Sequence, residues 1–261
     1  MNILAIGAHR DDCEIGAGGV IVKAVKKGHR VVLVTVCGGG INDWCISKGK
    51  TREYREWTIR KAREMGVEKI LLPFSDKGII TDSAARKKAS RKLAEIILKV
   101  KPDIVFLHHR FEAMPADHGI VGEISEQAVN YANIFMGGKN VKYRGEMYAY
   151  EVSPIRHFPP YPLFQPDIYI DIGDVIRQAV ETPNYFDRLY ALSKHGKIAG
   201  MVRSKIKIDY LGDNEIPLSM HGELKLTLAS YRGFQCDVRY AEAFMAMGRK
   251  EVSGKRLLSE I

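Results

Sequence analysis

The sequence has little cysteine and no order in what it has. Its four cysteines, Cys13, Cys37, Cys45 and Cys236, make neither a CxxC pair nor a dense framework. That excludes a zinc ribbon and a disulfide scaffold and fits reduced thiols. No apolar run approaches the ~20 residues that span a bilayer. A basic leader with a cleavage site is also missing, so a cytoplasmic protein without a membrane span is expected. Gly16, Gly18 and Gly19 do not form GxGxxG, and the second apolar strand ends in Cys37 and glycines where a ribose-binding acid should stand. Both facts argue against a dinucleotide site. The patterns GxxxxGK[ST] and GxSxG are absent too, against a phosphate loop and a serine-hydrolase elbow.

Positive charge is not lacking. The formal net charge is +9, and much of it lies in ARKKASRKLAEIILKVK, residues 85–101. There Leu93, Ile96, Ile97 and Val100 recur at helical spacing, which puts the basic residues on the opposite, solvated face. No aromatic interleaving or nucleic-acid motif accompanies them, so no nucleic-acid partner is expected, although long-range steering of an anionic substrate fits the charge. At 46% hydrophobic content, 261 residues can fill a substantial core. No repeat, low-complexity tract or linker divides the chain, and a single domain over 1–261 is expected.

Strand and helix signals alternate through the first half. MNILAIGA, HRVVLVTVC, VEKILLPF and PDIVFLHHR are continuous apolar runs, the mark of strands covered on both faces. Helical patterns lie between them, and DHGIVGEISEQAVNYANIF adds another, with Asp117 as its N-cap. This predicts a doubly wound, Rossmann-like α/β fold with a mostly parallel sheet, helices on both faces and an elaborated C-terminal third. In that third, GEMYAYEVSP and DIYIDIGD read as extended. VIRQAVETPNYFDRLYALSK and GELKLTLASYRGF read as helical, and Pro183 is expected to interrupt or kink the former.

In such sheets ligands bind beyond the carboxyl ends of the strands. Four loops share that edge: His9 to Glu14, Gly38 to Gly40, Ser75 with Asp76, and a fourth carrying His108, His109, Glu112, Asp117 and His118. His9, Asp12 and His118 offer two nitrogens and an oxygen with a position left open, the pattern of a catalytic zinc site. Zinc lowers the pKa of a bound water to about 7 and polarises a carbonyl. Asp11 stands where a general base for that water belongs. A bland reading fits the same residues, with a hydrogen-bonded strand-end histidine and an Asp-Asp pair that only caps a helix.

AIGAHRDDCEIGAGG closely resembles the AHPDDxExxxGG signature of the LmbE-like and PIG-L family of zinc-dependent N-deacetylases, and PADHGIVG resembles its second motif, HPDHxxVG. Weaker blocks follow in the family's order: REYREWTIRKAREMGV, LLPFSD, PDIYIDIGD and YRGFQCDVRYAEAF. The resemblance implies zinc, with iron(II) or another divalent metal as alternatives, held by His9, Asp12 and His118, with Asp11 as general base. It implies hydrolysis of the acetamide of an N-acetylglucosamine-type sugar or conjugate to a free amine and acetate, and a homo-oligomer, trimer or hexamer. Two positions depart from the pattern. Arg10 replaces the motif proline and puts a cation beside the site, as for an anionic substrate group. Pro115 replaces the first histidine of HPDH, for which His109, His221 and Arg10 are candidate substitutes.

Asp117 is expected to orient a ligating histidine as well as to cap its helix. Glu14 is expected to secure the loop or pair with a cation, and Cys13 to pack. Arg55 resembles an arginine near the family's substrate pocket. Specificity is assigned to Met114 through Pro166 and to the region from Leu211 to His221, with Tyr148, Tyr150, Phe158 and Tyr161 as candidate sugar-stacking groups. Two alternatives remain: an amidase for a larger acyl group, and a metal-binding homologue without deacetylase activity.

Overall fold

The structure, a computed structural model, describes residues 1–38, 51–112, 116–136, 145–152, 164–190, 204–207, 215–247 and 261. Strands β1 (Asn2–Gly7), β2 (Arg30–Thr35), β3 (Glu68–Leu71), β4 (Ile104–His108) and β5 (Glu146–Tyr150) are parallel, in the order β3-β2-β1-β4-β5. Helices α1 (Asp12–Lys26), α2 (Thr51–Glu64), α3 (Asp76–Thr81), α4 (Ser83–Val100) and α5 (Ala116–Tyr131) occupy the crossovers and the stretch between β4 and β5.

Alternate strand residues feed two cores. Ile3, Leu33 and Phe106 pack on one face with Ile15, Val20 and Ile21 of α1. Leu4, Val32 and Val105 pack on the other with Leu93 and Ile97 of α4 and Val121 and Ile124 of α5. Each such fully buried side chain contributes roughly 1.5–3 kcal/mol. This two-sided burial is why the strands read as unbroken apolar runs. On α4, Lys87, Lys88, Arg91, Lys92 and Lys99 are exposed opposite that core face, as the spacing predicts.

The C-terminal part is more elaborate than the sequence pattern shows. β6 (Ile168–Asp171) forms as expected, but it joins the sheet through β9 (Ala241–Met247). β9 is inserted antiparallel between β5 and β6. β7 (Ser204–Lys207) and β8 (Glu215–Leu218) pair antiparallel with each other. α6 (Ile176–Tyr190) runs on through Pro183 rather than stopping there. A proline in a helix interior costs about 3 kcal/mol, and the burial of Ile176, Ala179 and Val180 against the core that holds α1 offsets it. α7 (Met220–Gln235) closes the same side.

The glycines of the first loop do a different job from the one their position suggests. They lie inside α1, and none of them has a positive φ. A Cβ on Gly16 would run into the Tyr150 ring, and one on Gly19 would meet Ile172. Gly16 and Gly19 thus allow close approach of α1 to its neighbours.

Candidate metal centre

β1 crosses to β2 on one side and is flanked by β4 on the other, so the loops after β1 and β4 open at the point where the strand order reverses. Ligand crevices form at such points. The first loop brings His9, Asp11 and Asp12. The end of β4 and the loop after it bring His108 and Glu112, and the first turn of α5 brings Asp117 and His118.

His9 Nδ1 lies 3.0 Å from His118 Nε2. Asp12 closes the triangle, with Oδ1 3.4 Å from His118 Nε2 and Oδ2 3.7 Å from His9 Nδ1. The outer nitrogens both meet carboxylates: His9 Nε2 is 2.8 Å from Asp117 Oδ2, and His118 Nδ1 is 3.1 Å from Glu112 Oε1. Protons on those outer nitrogens leave a lone pair on each inner one. Two nitrogen lone pairs face each other at 3.0 Å only with a cation or a shared proton between them. The donor chemistry fits a divalent metal: ligand atoms of His9, Asp117 and His118 lie within 4.8 Å of one another, as do those of Asp12, His108 and His118, and each imidazole meets a carboxylate.

His108 and Glu112 complete the support. Asp12 Oδ2 accepts from the His9 backbone N–H at 2.6 Å and faces His108 Nε2 at 2.9 Å, while Oδ1 stays turned towards His118. His108 Nδ1 in turn meets Glu112 Oε2 at 3.2 Å, so one glutamate carboxylate spans two imidazoles. The Ala8 amide also approaches His108 Nε2, at 3.1 Å. We assign the Nε2 proton to Asp12, since the carboxylate can only accept. Burial works against charge on His108, but Asp12 and Glu112 outweigh it and hold this imidazole up to about 9. Burial likewise opposes ionisation of Glu112, yet His118 and His108 hold it down to about 2. The same competition leaves His9 raised and Asp12 and Asp117 lowered.

Asp11 occupies the N-cap position of α1, but its side chain caps nothing. Instead its Oδ2 lies 3.2 Å from His221 Nδ1 on α7. Of the candidate auxiliary groups, His221 thus reaches Asp11. The His109 ring stands edge-on to Phe111 and Phe164, with centroids 5.6 and 5.4 Å away, so this ring turns into an aromatic cluster. Arg10 is buried with its guanidinium 3.7 Å from the centre of the Tyr54 ring, and its Nε has no hydrogen-bond partner among the described residues. Arg55 donates to the carbonyls of Gly38 and Leu71, tying the loop after β2 to the end of β3. Pro115, Phe158 and Tyr161 lie outside the described residues.

Some expectations change at this point and others hold. Asp117 sits inside the first turn of α5, which begins at Ala116, so it is not the N-cap. Tyr148 and Tyr150 are core residues rather than sugar platforms, because the Tyr150 hydroxyl donates to Ile6 O at 2.8 Å and Tyr148 bonds Glu146 at 2.5 Å. Glu14 pairs with Lys69 at 2.5 Å inside the protein, and Lys69 also bonds the Arg10 carbonyl. Cys13 packs, and burial pushes its thiol far up. His108 and Glu112 were visible in the sequence as loop residues with no assigned role. Their signal is a histidine that ends a switch-point strand, with an acid four residues later.

Residues 4–129 match the sequence profile of PIG-L, GlcNAc-PI de-N-acetylase. Diacetylchitobiose deacetylase of Thermococcus kodakarensis is 29% identical over 181 residues, covering 67% of this chain and 64% of that protein. The 4-oxalmesaconate hydratase of Pseudomonas putida is 25% identical over 179 residues, covering 66% and 67%. Among solved structures, the 4-carboxy-2-hydroxymuconate hydratase of Pseudomonas putida overlays with a TM-score of 0.68, covering 98% of this chain and 100% of that one. At 20% identity that likeness speaks for the fold. His9, Asp12, His108, Glu112, Asp117 and His118 all lie within the segment that matches the PIG-L profile.

Proposed function

We propose that the chain is a zinc-dependent N-deacetylase that hydrolyses the acetamide of an N-acetylglucosamine-type sugar or conjugate. One observation carries this reading: the lone pairs of His9 and His118 converge with Asp12 while Asp11, next in sequence, is kept free of helix capping. The match to diacetylchitobiose deacetylase supports the amino-sugar substrate. Zinc would be held by His9, Asp12 and His118, where its chemistry is Lewis acidity, which polarises an amide carbonyl and acidifies water.

The chain's own groups do the rest. Asp11 takes the proton of the attacking water and returns it to the leaving nitrogen. His221, 3.2 Å from Asp11, holds that carboxylate in place and supplies the second polar group that Pro115 cannot. Asp117 and Glu112 fix the two imidazoles, and Asp12 is fixed in turn by His108 and the His9 amide. Acetate release from N-acetylglucosamine and its small conjugates tests the proposal in native protein, Asp11→Asn and His118→Ala. Turnover in the native protein with loss in both variants is expected. Undiminished release from Asp11→Asn would remove Asp11 as the base.

A second reading rests on Arg10, a buried guanidinium following a proposed ligand, together with the 25% identity to a hydratase. It makes the reaction addition of water to an unsaturated carboxylate, with Arg10 binding the anion. Loss of near-ultraviolet absorbance from a conjugated unsaturated dicarboxylate, with no acetate release from amino sugars, would favour it.

A further inference from the structure

Beside the centre lies a second set of donors, of which Asp117 already orients His9 while Cys37 and Asp76 have no role above. The outer nitrogen of His9 faces Asp117 Oδ2 and, at 3.5 Å, Asp76 Oδ1. There the Cys37 sulfur, one oxygen of Asp76 and one of Asp117 lie within 4.8 Å of one another. Cys37 stands two residues past β2, Asp76 opens α3, and Asp117 is in the first turn of α5. All three are enclosed, with exposures of 4%, 9% and 2%.

Neither oxygen of Asp76 has a hydrogen-bond partner among the described residues, and nor has Asp117 Oδ1. Among the described residues, His9 Nε2 and the Cys37 thiol face Asp76. His9 cannot satisfy three oxygens, since its one outer proton goes to Asp117 Oδ2 at 2.8 Å. Enclosed carboxylates are normally paired or metal-bound.

We propose that Cys37, Asp76 and Asp117 form a second cation site, for a divalent ion of the zinc class, next to the His9–Asp12–His118 centre. Sulfur with two carboxylate oxygens suits zinc or cobalt and disfavours magnesium and calcium, which take oxygen donors. On binding, the Cys37 S–H bond breaks, its proton leaves to solvent, and the sulfur lone pair forms the bond to the ion. Asp117 would serve both sites, with Oδ2 on His9 and Oδ1 on the second ion. This site goes beyond the deacetylase reading and stands independently of it.

Cobalt(II) provides the test, because sulfur-to-cobalt charge transfer gives a near-ultraviolet band that a nitrogen and oxygen site cannot produce. Full-length protein is stripped of metal, loaded with Co²⁺ and freed of excess. Native protein should bind two ions per chain and show the band. Asp12→Asn should bind one and keep the band. Cys37→Ser should bind one and lose it, and Asp76→Asn, read in parallel in case the serine variant does not fold, should lose the second ion. One ion without the band in native protein, or a band that survives Cys37→Ser, would overturn the site. Failure of the first centre looks different: the Asp12→Asn protein would bind as many ions as the native one.

Discussion

Two clusters of buried charge flank α1, and they are balanced by different cations. At its N-terminus, Asp12, Glu112 and Asp117 are countered by His9, His108 and His118. Along its middle, Lys225 pairs with Glu242 and Arg232 with Glu151. That second pair of bridges is structural. α1 breaks at Ala17, where φ is −137° and ψ is 17°. Lys225 Nζ donates to the Ile15 carbonyl before the break, at 2.8 Å, and the Glu242 carboxylate accepts from the amides of Gly19 and Val20 after it, at 2.6 and 2.8 Å. Ammonium and guanidinium groups keep their protons and have no lone pair to give a metal, whereas an imidazole can exchange its proton for one. The comparison separates charge that splices a helix from charge that can hold a cofactor.

If that separation holds, substitutions in the two clusters should fail in different ways. The largest effect is expected at Asp11. Asp11→Asn should lower acetate release by roughly 10²–10⁴-fold with metal content unchanged, and parallel loss of metal would reassign Asp11 to the ligand set. Next comes Lys225→Met, which leaves Glu242 buried without its cation. Urea unfolding should show a loss of roughly 3–5 kcal/mol, partly restored by adding Glu242→Gln. A loss under 1 kcal/mol would deny the splice.

A smaller effect belongs to Glu112→Gln, which should weaken metal binding by about 10–100-fold in competition with a chelator. Unchanged affinity would mean that the imidazoles are oriented without it. The smallest is a pH effect at Glu151. Burial pushes this carboxyl up to about 7 despite Arg232, from an ordinary 4.5. The folded chain therefore holds a proton that the unfolded chain has released between those values. The contribution of Glu151 is full below pH 4.5 and is lost as pH rises through about 7. Glu151→Gln should flatten that decline in a series of melts, and an unaltered slope would assign it elsewhere.

The parallel half of the fold was legible because its strands are short, continuous apolar runs that alternate with helical patterns. β9 was not, since AEAFMAM stands outside that alternation and enters the sheet antiparallel between β5 and β6, a placement of which local pattern carries no record. At the candidate site, the meeting of His9, Asp12 and His118 could be anticipated from their place after switch-point strands. The role of His108 could not, because it depends on Asp12 and Glu112 meeting its two nitrogens in space. Arg55, marked for the substrate pocket, also donates to two backbone carbonyls, contacts that no sequence pattern records.

The proposed chemistry requires that His9, Asp12 and His118 share one metal ion. It is tested most directly by an anomalous difference map at the zinc edge from crystals of zinc-loaded Cys37→Ser protein, in which the neighbouring site is disabled. A peak bonded to His9 Nδ1, His118 Nε2 and Asp12 Oδ1 is expected. A peak bonded instead to His108, or no peak between the two imidazoles, would contradict it.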